Sequence, residues 1–192
     1  VDADTGFVAG TYGLDTRGLL YRSFDGGVNL EEITIPQEIS GLNAMDVLSS
    51  QELWIGASKS FYSPDGPVVK IYHTTDQGAN WDTISFGPHG SSTGVEAIQF
   101  LTSTDGKVMT SNALYSTSDG GATWVKTAFP GMMAWMFNMH FADAMTGIIT
   151  GLNGDLLKTS DGGLTFEVLS KGSRASLRSI TFIDENTGFA SG

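Results

Sequence analysis

One eight-residue pattern occurs four times in this chain, and a chain that repeats itself is built from repeating structural units rather than one irregular core. The copies are Ser23-Phe24-Asp25-Gly26-Gly27-Val28-Asn29-Leu30, Thr74-Thr75-Asp76-Gln77-Gly78-Ala79-Asn80-Trp81, Thr117-Ser118-Asp119-Gly120-Gly121-Ala122-Thr123-Trp124 and Thr159-Ser160-Asp161-Gly162-Gly163-Leu164-Thr165-Phe166. Their Asp residues stand at 25, 76, 119 and 161, so successive copies are 51, 43 and 42 residues apart. A second pattern keeps step with the first. Asp4-Thr5-Gly6-Phe7-Val8-Ala9-Gly10 matches the stretch from Ala144 to Gly151 and the stretch from Asn186 to Gly192. Leu53-Trp54-Ile55-Gly56 is a weaker copy, and Gly106 to Thr110 is weaker still.

Each repeat reads as four short strands. In the last complete one, Asn138 to Ala142, Thr146 to Thr150, Leu156 to Thr159 and Thr165 to Leu169 are β-preferring runs separated by turn residues. Asn153-Gly154 between the second and third runs is a strong hairpin signal. No window carries apolar residues at helical spacing over several turns. Only Met132 to Met136 could form a helical turn, and Pro130 and Gly131 precede it. A period of 42 to 51 residues with four strands per unit is the signature of a β-propeller blade. The fold class expected is all-β, a propeller segment of about four blades in one domain. The blades run roughly over 1–41, 42–92, 93–135 and 136–176, with a partial unit at 177–192.

Composition narrows the functions open to such a fold. Ten Lys plus Arg stand against 21 Asp plus Glu, a net charge of −11. Phosphate backbones and anionic lipid are therefore poor partners, and no nucleic acid is expected. There is no Cys, which excludes disulfides, thiolate metal sites and cysteine nucleophiles. No apolar run approaches the length of a membrane-spanning helix, so no membrane insertion is expected. The first residues lack the basic start and apolar run of a signal peptide.

The Ser/Thr-x-Asp-x-Gly-x-x-Trp pattern resembles the Asp-box, or BNR repeat. That repeat is found in sialidases, xyloglucanase-type glycoside hydrolases, sortilin-type receptors and the photosystem II assembly-factor family. The Thr-Gly-Phe-x-x-Gly element resembles the last group and its bacterial relatives on secreted and surface proteins. The resemblance implies a secreted or cell-surface protein, with boxes that are structural and lie on the face away from the ligand. The residues themselves agree on the structural role. Asp25, Asp76, Asp119 and Asp161 can each accept hydrogen bonds from the backbone N–H groups of their own turn. The following Gly tolerates positive φ. Leu30, Trp81, Trp124 and Phe166, five residues after each Asp, return the chain into the core between blades. One carboxylate per turn falls far short of the oxygens a calcium ion needs, so no metal and no cofactor is expected.

A ligand site is expected on the opposite face. There the connections between the second and third strands, and between blades, vary in length, and insertions confined to one face usually mark a binding face. The candidates are Tyr12 and Arg17 in the first repeat, and Phe61, Tyr62 and Asp65 in the long connection from Ala57 to Pro67. His89, Trp135 and Arg174 in the blade-to-blade connections complete the set. The Met cluster at 132, 133, 136, 139 and 145 reads as core filling. His73 and His140 read as packing between blades.

No catalytic set is visible. The resemblance to sialidases would require three arginines around a substrate carboxylate and an Arg-Ile-Pro motif, which is absent. A xyloglucanase-like hydrolase would need two facing carboxylates. Asp15, Asp46, Asp65 and Glu96 are the candidates, and nothing in their surroundings singles any of them out. The expected function is a non-catalytic binding or scaffold module that recognises protein or glycan. The alternatives are a glycoside hydrolase with part of its catalytic set elsewhere, and a structural subunit of a surface assembly. Residues 1–6 and 182–188 occupy the same place in the repeat. Either Ser179 to Asp184 supplies the inner strand of the first blade in a closed ring, or further blades or another chain complete a larger ring. The second reading is preferred here, because an open propeller exposes strand edges.

Overall fold

A computed structural model describes residues 3–12, 17–39, 41–57, 61–63, 66–86, 94–131, 135–169, 175–182 and 187–192, with residues 12, 61–63, 66 and 67 described by their backbone alone. The candidates Asp65, His89 and Arg174 lie outside the described residues, as do Asp15, Met132 and Met133. Contacts group the chain into two compact units, 1–98 and 99–192.

The first unit begins with the antiparallel sheet β1 (Gly6–Tyr12), β2 (Arg17–Ser23) and β3 (Glu31–Glu32). Its second sheet contains β4 (Leu42–Val47), β5 (Leu53–Ala57), β6 (Phe61–Ser63), β7 (Gly66–Thr74) and β8 (Asp82–Phe86). Among its described residues, the connection expected from Ala57 to Pro67 holds β6 and the start of β7. Phe61 pairs with Val68 and Tyr62 with Pro67, so the β5–β7 hairpin is lengthened by a rung beyond the usual blade. That extension accounts for the longest repeat spacing. The core of this unit is Leu20, Ile33, Ile39, Leu42, Leu53, Ile55, Ala57 and Tyr72, with Trp81 packed against it.

The second unit holds most of the sheet β9 (Val95–Phe100), β10 (Gly106–Thr110), β11 (Ala113–Thr117) and β12 (Val125–Ala128). The next sheet is β13 (Met136–Phe141), β14 (Gly147–Gly151), β15 (Leu156–Thr159) and β16 (Glu167–Val168). A two-stranded sheet, β17 (Ser179–Phe182) with β18 (Gly188–Ser191), follows. The expected Asn-Gly hairpin is present. Asn153 and Gly154 sit at φ 57° and 74°, the paired left-handed geometry that two-residue hairpin turns require. Met136 and Met139 are buried as expected, whereas Met145 is half exposed.

The four Asp turns are built alike. The hydroxyl of Ser23, Thr74, Thr117 and Thr159 is buried beneath each turn and donates to the Asp Oδ1 at 2.7 to 2.8 Å. The same oxygen accepts the backbone N–H of Gly27, Gly78, Gly121 and Gly163 at 2.8 to 3.0 Å. The Asp Oδ1 accepts the backbone N–H of Asn29, Asn80, Thr123 and Thr165 at 2.8 to 2.9 Å. A side-chain donor from those same four residues reaches Oδ2. Three of the turns are also tied to the turn joining the first two strands of their sheet, and the first is tied to Asp4, which precedes β1. Asp4, Gln51, Thr104 and Met145 carbonyls accept from the backbone N–H of Gly26, Gln77, Gly120 and Gly162 at 2.8 to 3.0 Å. The Asp turns and the first-to-second strand turns therefore share one face, as expected.

These turns also lock neighbouring sheets within each unit. Ile33 fills the place a Cβ would take at Gly78, and Leu114 does so at Gly163. Trp81 Nε1 donates to the Thr34 carbonyl at 3.0 Å, and Phe166 meets Phe129 edge-on at 5.4 Å. Trp124 packs on Phe100 of its own sheet at 6.2 Å. The first turn differs. Leu30 is 52% exposed, so the expectation that it enters the core fails. Gly27 has nothing within 4 Å of a Cβ position. Val8 is 54% exposed, while its counterparts Ile55, Val108 and Ile149 are fully buried. The side chains that would have covered Leu30 are those a neighbouring sheet supplies to the other turns.

Two predictions follow from the turns. Gly163→Ala puts a Cβ into Leu114 at φ 89°, and destabilises the chain by roughly 1 to 3 kcal/mol in urea melts. Gly27→Ala meets only its φ of 91° and costs less. The second concerns acid. Donors from Thr123 hold Asp119 down to about 2, those from Thr165 do the same for Asp161, and the Asn29 amide groups do so for Asp25. Each pKa is lower folded than unfolded, so the stability these turns contribute is complete above about pH 4 and is lost as the pH falls towards 2. An acid titration of Asp119→Asn should be flatter than that of the parent chain in this window. Equal slopes would remove the turns from acid stability.

Candidate functional site

The face opposite the Asp turns carries the described candidates. Tyr12 ends β1, its backbone opposite Arg17. Arg17 pairs with Glu32 at 2.9 Å and remains 69% exposed. It lines a groove of about 400 Å³ with Gly18, Ile35, Pro36 and Ile39. Trp135 is 67% exposed. Its backbone is held all the same, because the Trp135 carbonyl accepts the Leu152 N–H at 2.9 Å, beside the Asn-Gly hairpin turn.

A larger groove of about 470 Å³ is lined by Arg22, Glu32, Thr34, Asp76 and Gln77. Gln77 stands at φ 63°, where the other three turns have Gly at 70° to 75°. The left-handed conformation costs a residue with a Cβ roughly 1 kcal/mol. In return the Gln77 amide oxygen accepts from Arg22 Nη1 at 3.0 Å, while Arg22 Nε donates to Glu31 at 3.2 Å. At the matching place in the second unit, Ser116 Oγ donates to the Gly162 carbonyl at 3.4 Å. The Arg22–Gln77 contact is thus a longer version of a fastening between adjacent sheets. The groove's two carboxylates are both engaged. Asp76 accepts from its own turn, and Glu32 from Arg17.

Two inner strands carry bulges that redirect a side chain. The β4–β5 register slips between Leu42 and Ala44, which leaves Asn43 as the extra residue. The β13–β14 register slips between Met136 and Asn138, which leaves Phe137. Bulges of this kind re-aim side chains next to functional sites. Asn43 Nδ2 donates to the Val95 carbonyl and to Glu96 Oε2, both at 3.0 Å. Burial raises the Glu96 carboxyl above its ordinary range, against the Asn43 bond that lowers it. Phe137 carries the Arg178 guanidinium over its ring at 5.0 Å. Gln99 bridges to the next inner strand by accepting the Phe141 N–H at 2.7 Å and donating to the Phe141 carbonyl at 2.8 Å. Sequence reasoning singled out neither Phe137 nor Arg178 as part of a site. The signal that could have found them is the one extra residue between Trp135 and the strand pattern.

The remaining candidates are placed as follows. Asp46 Oδ1 accepts its neighbour Val47 N–H at 3.0 Å. His73 is the cross-strand partner of Trp54, stacked on it at 3.8 Å, and it meets Glu52 at 3.2 Å. Alternation places both rings on one face of β5 and β7, which is why they stack. His140 does lie between sheets, 5.4 Å from Phe182 in a cavity of about 200 Å³ with Ile148 and Lys158.

No protein-family model matches the chain, and no curated protein matches it in sequence. Solved structures do. A structure described as YCF48 bound to D1 peptide shares 18% identity over 98% of this chain and 87% of that one, with a TM-score of 0.49. An ancestral GH74 enzyme shares 13% identity over 94% of this chain at a TM-score of 0.65. The GH74 enzyme of Niastella koreensis shares 17% over 95% at 0.62. The chain spans 27% and 32% of the length of these two enzymes. At this level of identity the likeness concerns fold. The chain is an all-β propeller of antiparallel four-stranded blades, about four of them in these residues.

Burial lowers the His140 pKa. A histidine depressed on folding contributes stability that is present above about pH 6.5 and lost as the pH falls through the folded value. His140→Gln should therefore flatten the thermal stability profile as the pH falls below about 6.5. An unchanged profile would mean that His140 is solvated.

Proposed function

We propose that this chain is a non-catalytic binding module of Asp-box (BNR) type from a secreted or surface-exposed bacterial protein. It holds a protein or glycan ligand on the face opposite the Asp turns. The observation that carries this reading is Trp135. A large apolar ring two-thirds exposed on a hydrogen-bonded backbone is a platform for a ligand rather than a core residue. Arg17, exposed on its groove, supports the same face. The engaged state of Glu32 and Asp76 weighs against acid–base chemistry in the groove they line, because a carboxylate already filled by protein donors is a poor proton carrier. The open face of the first blade, at Val8, Gly27 and Leu30, supports the further expectation that another blade covers it.

The test is an array of glycans and peptides, followed by calorimetry on each hit. A ligand of this face should bind Trp135→Ala at least tenfold more weakly, the loss of roughly 1.4 kcal/mol expected for a central aromatic. Equal binding by the variant would move the site elsewhere. Turnover of xyloglucan by the parent chain would replace the module reading with the hydrolase one.

A further inference from the structure

The described arginines are not equivalent. Arg17 is paired with Glu32, and Arg22 with Glu31. Arg178 is exposed, and among the described residues no carboxylate lies within ion-pair distance of it, although the chain carries 21 acidic side chains. Its guanidinium lies instead over the Phe137 ring. That contact fixes the plane of the group and leaves its N–H edge open. The backbone holds the surrounding pieces together. Trp135 and Leu152 are joined by one bond, Leu177 donates to the Gly151 carbonyl at 3.0 Å, and Arg178 donates to the Ser191 carbonyl at 2.8 Å. Trp135, the bulged Phe137 and Arg178 thus sit around one strand end, on a frame that does not depend on a ligand.

We propose that Trp135, Phe137 and Arg178 form a binding site for a uronate-bearing glycan, with the indole under the apolar face of a sugar ring and the guanidinium on its carboxylate. This rests on the reading of the chain as a binding module and names the ligand class. An open guanidinium edge matches a carboxylate with two parallel hydrogen bonds. A hydroxyl offers it a single uncharged acceptor. The open form of the site favours a sugar over a peptide. Among the described residues, the grooves around Arg22, Arg17, His140 and the first turn include none of Trp135, Phe137 and Arg178. A flat ring needs only a flat platform, whereas a peptide needs pockets for alternate side chains.

The experiment is a titration of the whole chain with trigalacturonate at pH 7, with cellotriose and an Asp/Glu-rich peptide in parallel. Tryptophan emission is read first. Trp54 is buried, and the Trp81 and Trp124 indole N–H groups are already bonded within the protein, so a ligand-induced shift is assigned to Trp135 by its loss in Trp135→Ala. Calorimetry then follows the variants. Trigalacturonate should shift the emission and bind at least tenfold more tightly than cellotriose. Arg178→Ala should erase that preference, and Arg178→Lys should restore only part of it, because an ammonium keeps the charge without the fork. Both positions are exposed, and unchanged melting curves will establish that the variants fold. Equal binding of the two sugars, or a preference that survives Arg178→Ala, overturns the proposal. If cellotriose or the peptide alone binds, and Trp135→Ala abolishes it, the uronate assignment fails and the module reading stands. If no ligand on any array depends on Trp135, both fail.

Discussion

A buried hydroxyl under each Asp turn organises this protein. The Ser23, Thr74, Thr117 and Thr159 oxygens each give one proton to a carboxylate and accept the N–H two residues beyond it. In a tight turn, backbone donors outnumber backbone acceptors that can reach them, and a buried unsatisfied N–H costs roughly 1 to 3 kcal/mol. The Asp and the hydroxyl together supply the missing acceptors. Once the turn is closed this way, its tip presents a backbone N–H to the adjacent first-to-second strand turn. One end of each sheet that carries both turns is thereby stitched shut.

That closure decides where function can lie. An end whose Asp carboxylates and hydroxyls already bond within their own turns has less left to offer a ligand. The other end is joined by connections free to differ, and it differs by lengthened strands and bulges. The β6 rung extends one hairpin, Asn43 is turned towards Glu96, and Phe137 is turned under Arg178. Each is a local insertion that leaves the pleat of its sheet intact on either side, which is how a repeated frame acquires a site without losing its register.

Much of the frame was legible in the sequence, because turn chemistry is local. Asp with Gly after it, a hydroxyl two residues before it, and Asn153-Gly154 each specify a backbone path within a few residues. Strand ends shifted by one or two positions, as at Met136 and Gly151, because hydrogen-bonded pairing rather than composition sets them. The site was legible only in part. Trp135 was marked by its place in a connection. Phe137 was hidden, because an aromatic residue at the start of an apolar run looks like core until the register slip shows which way it points. Leu30 misled for a related reason. Position in the repeat names the expected neighbour, but burial depends on whether that neighbour is present.

By itself, then, the sequence determined the number and kind of units, the closure of their turns and the face on which variation collects. All of these follow from contacts between residues close in the chain. Only the tertiary structure decided that Arg178 lies over Phe137, that Gln99 bridges to Phe141 and that Val8 is exposed where Ile55, Val108 and Ile149 are buried. Those facts join residues about forty apart, or separate positions that repeat the same pattern. No local preference encodes them, because the energy of burial and stacking belongs to the pair of surfaces that meet.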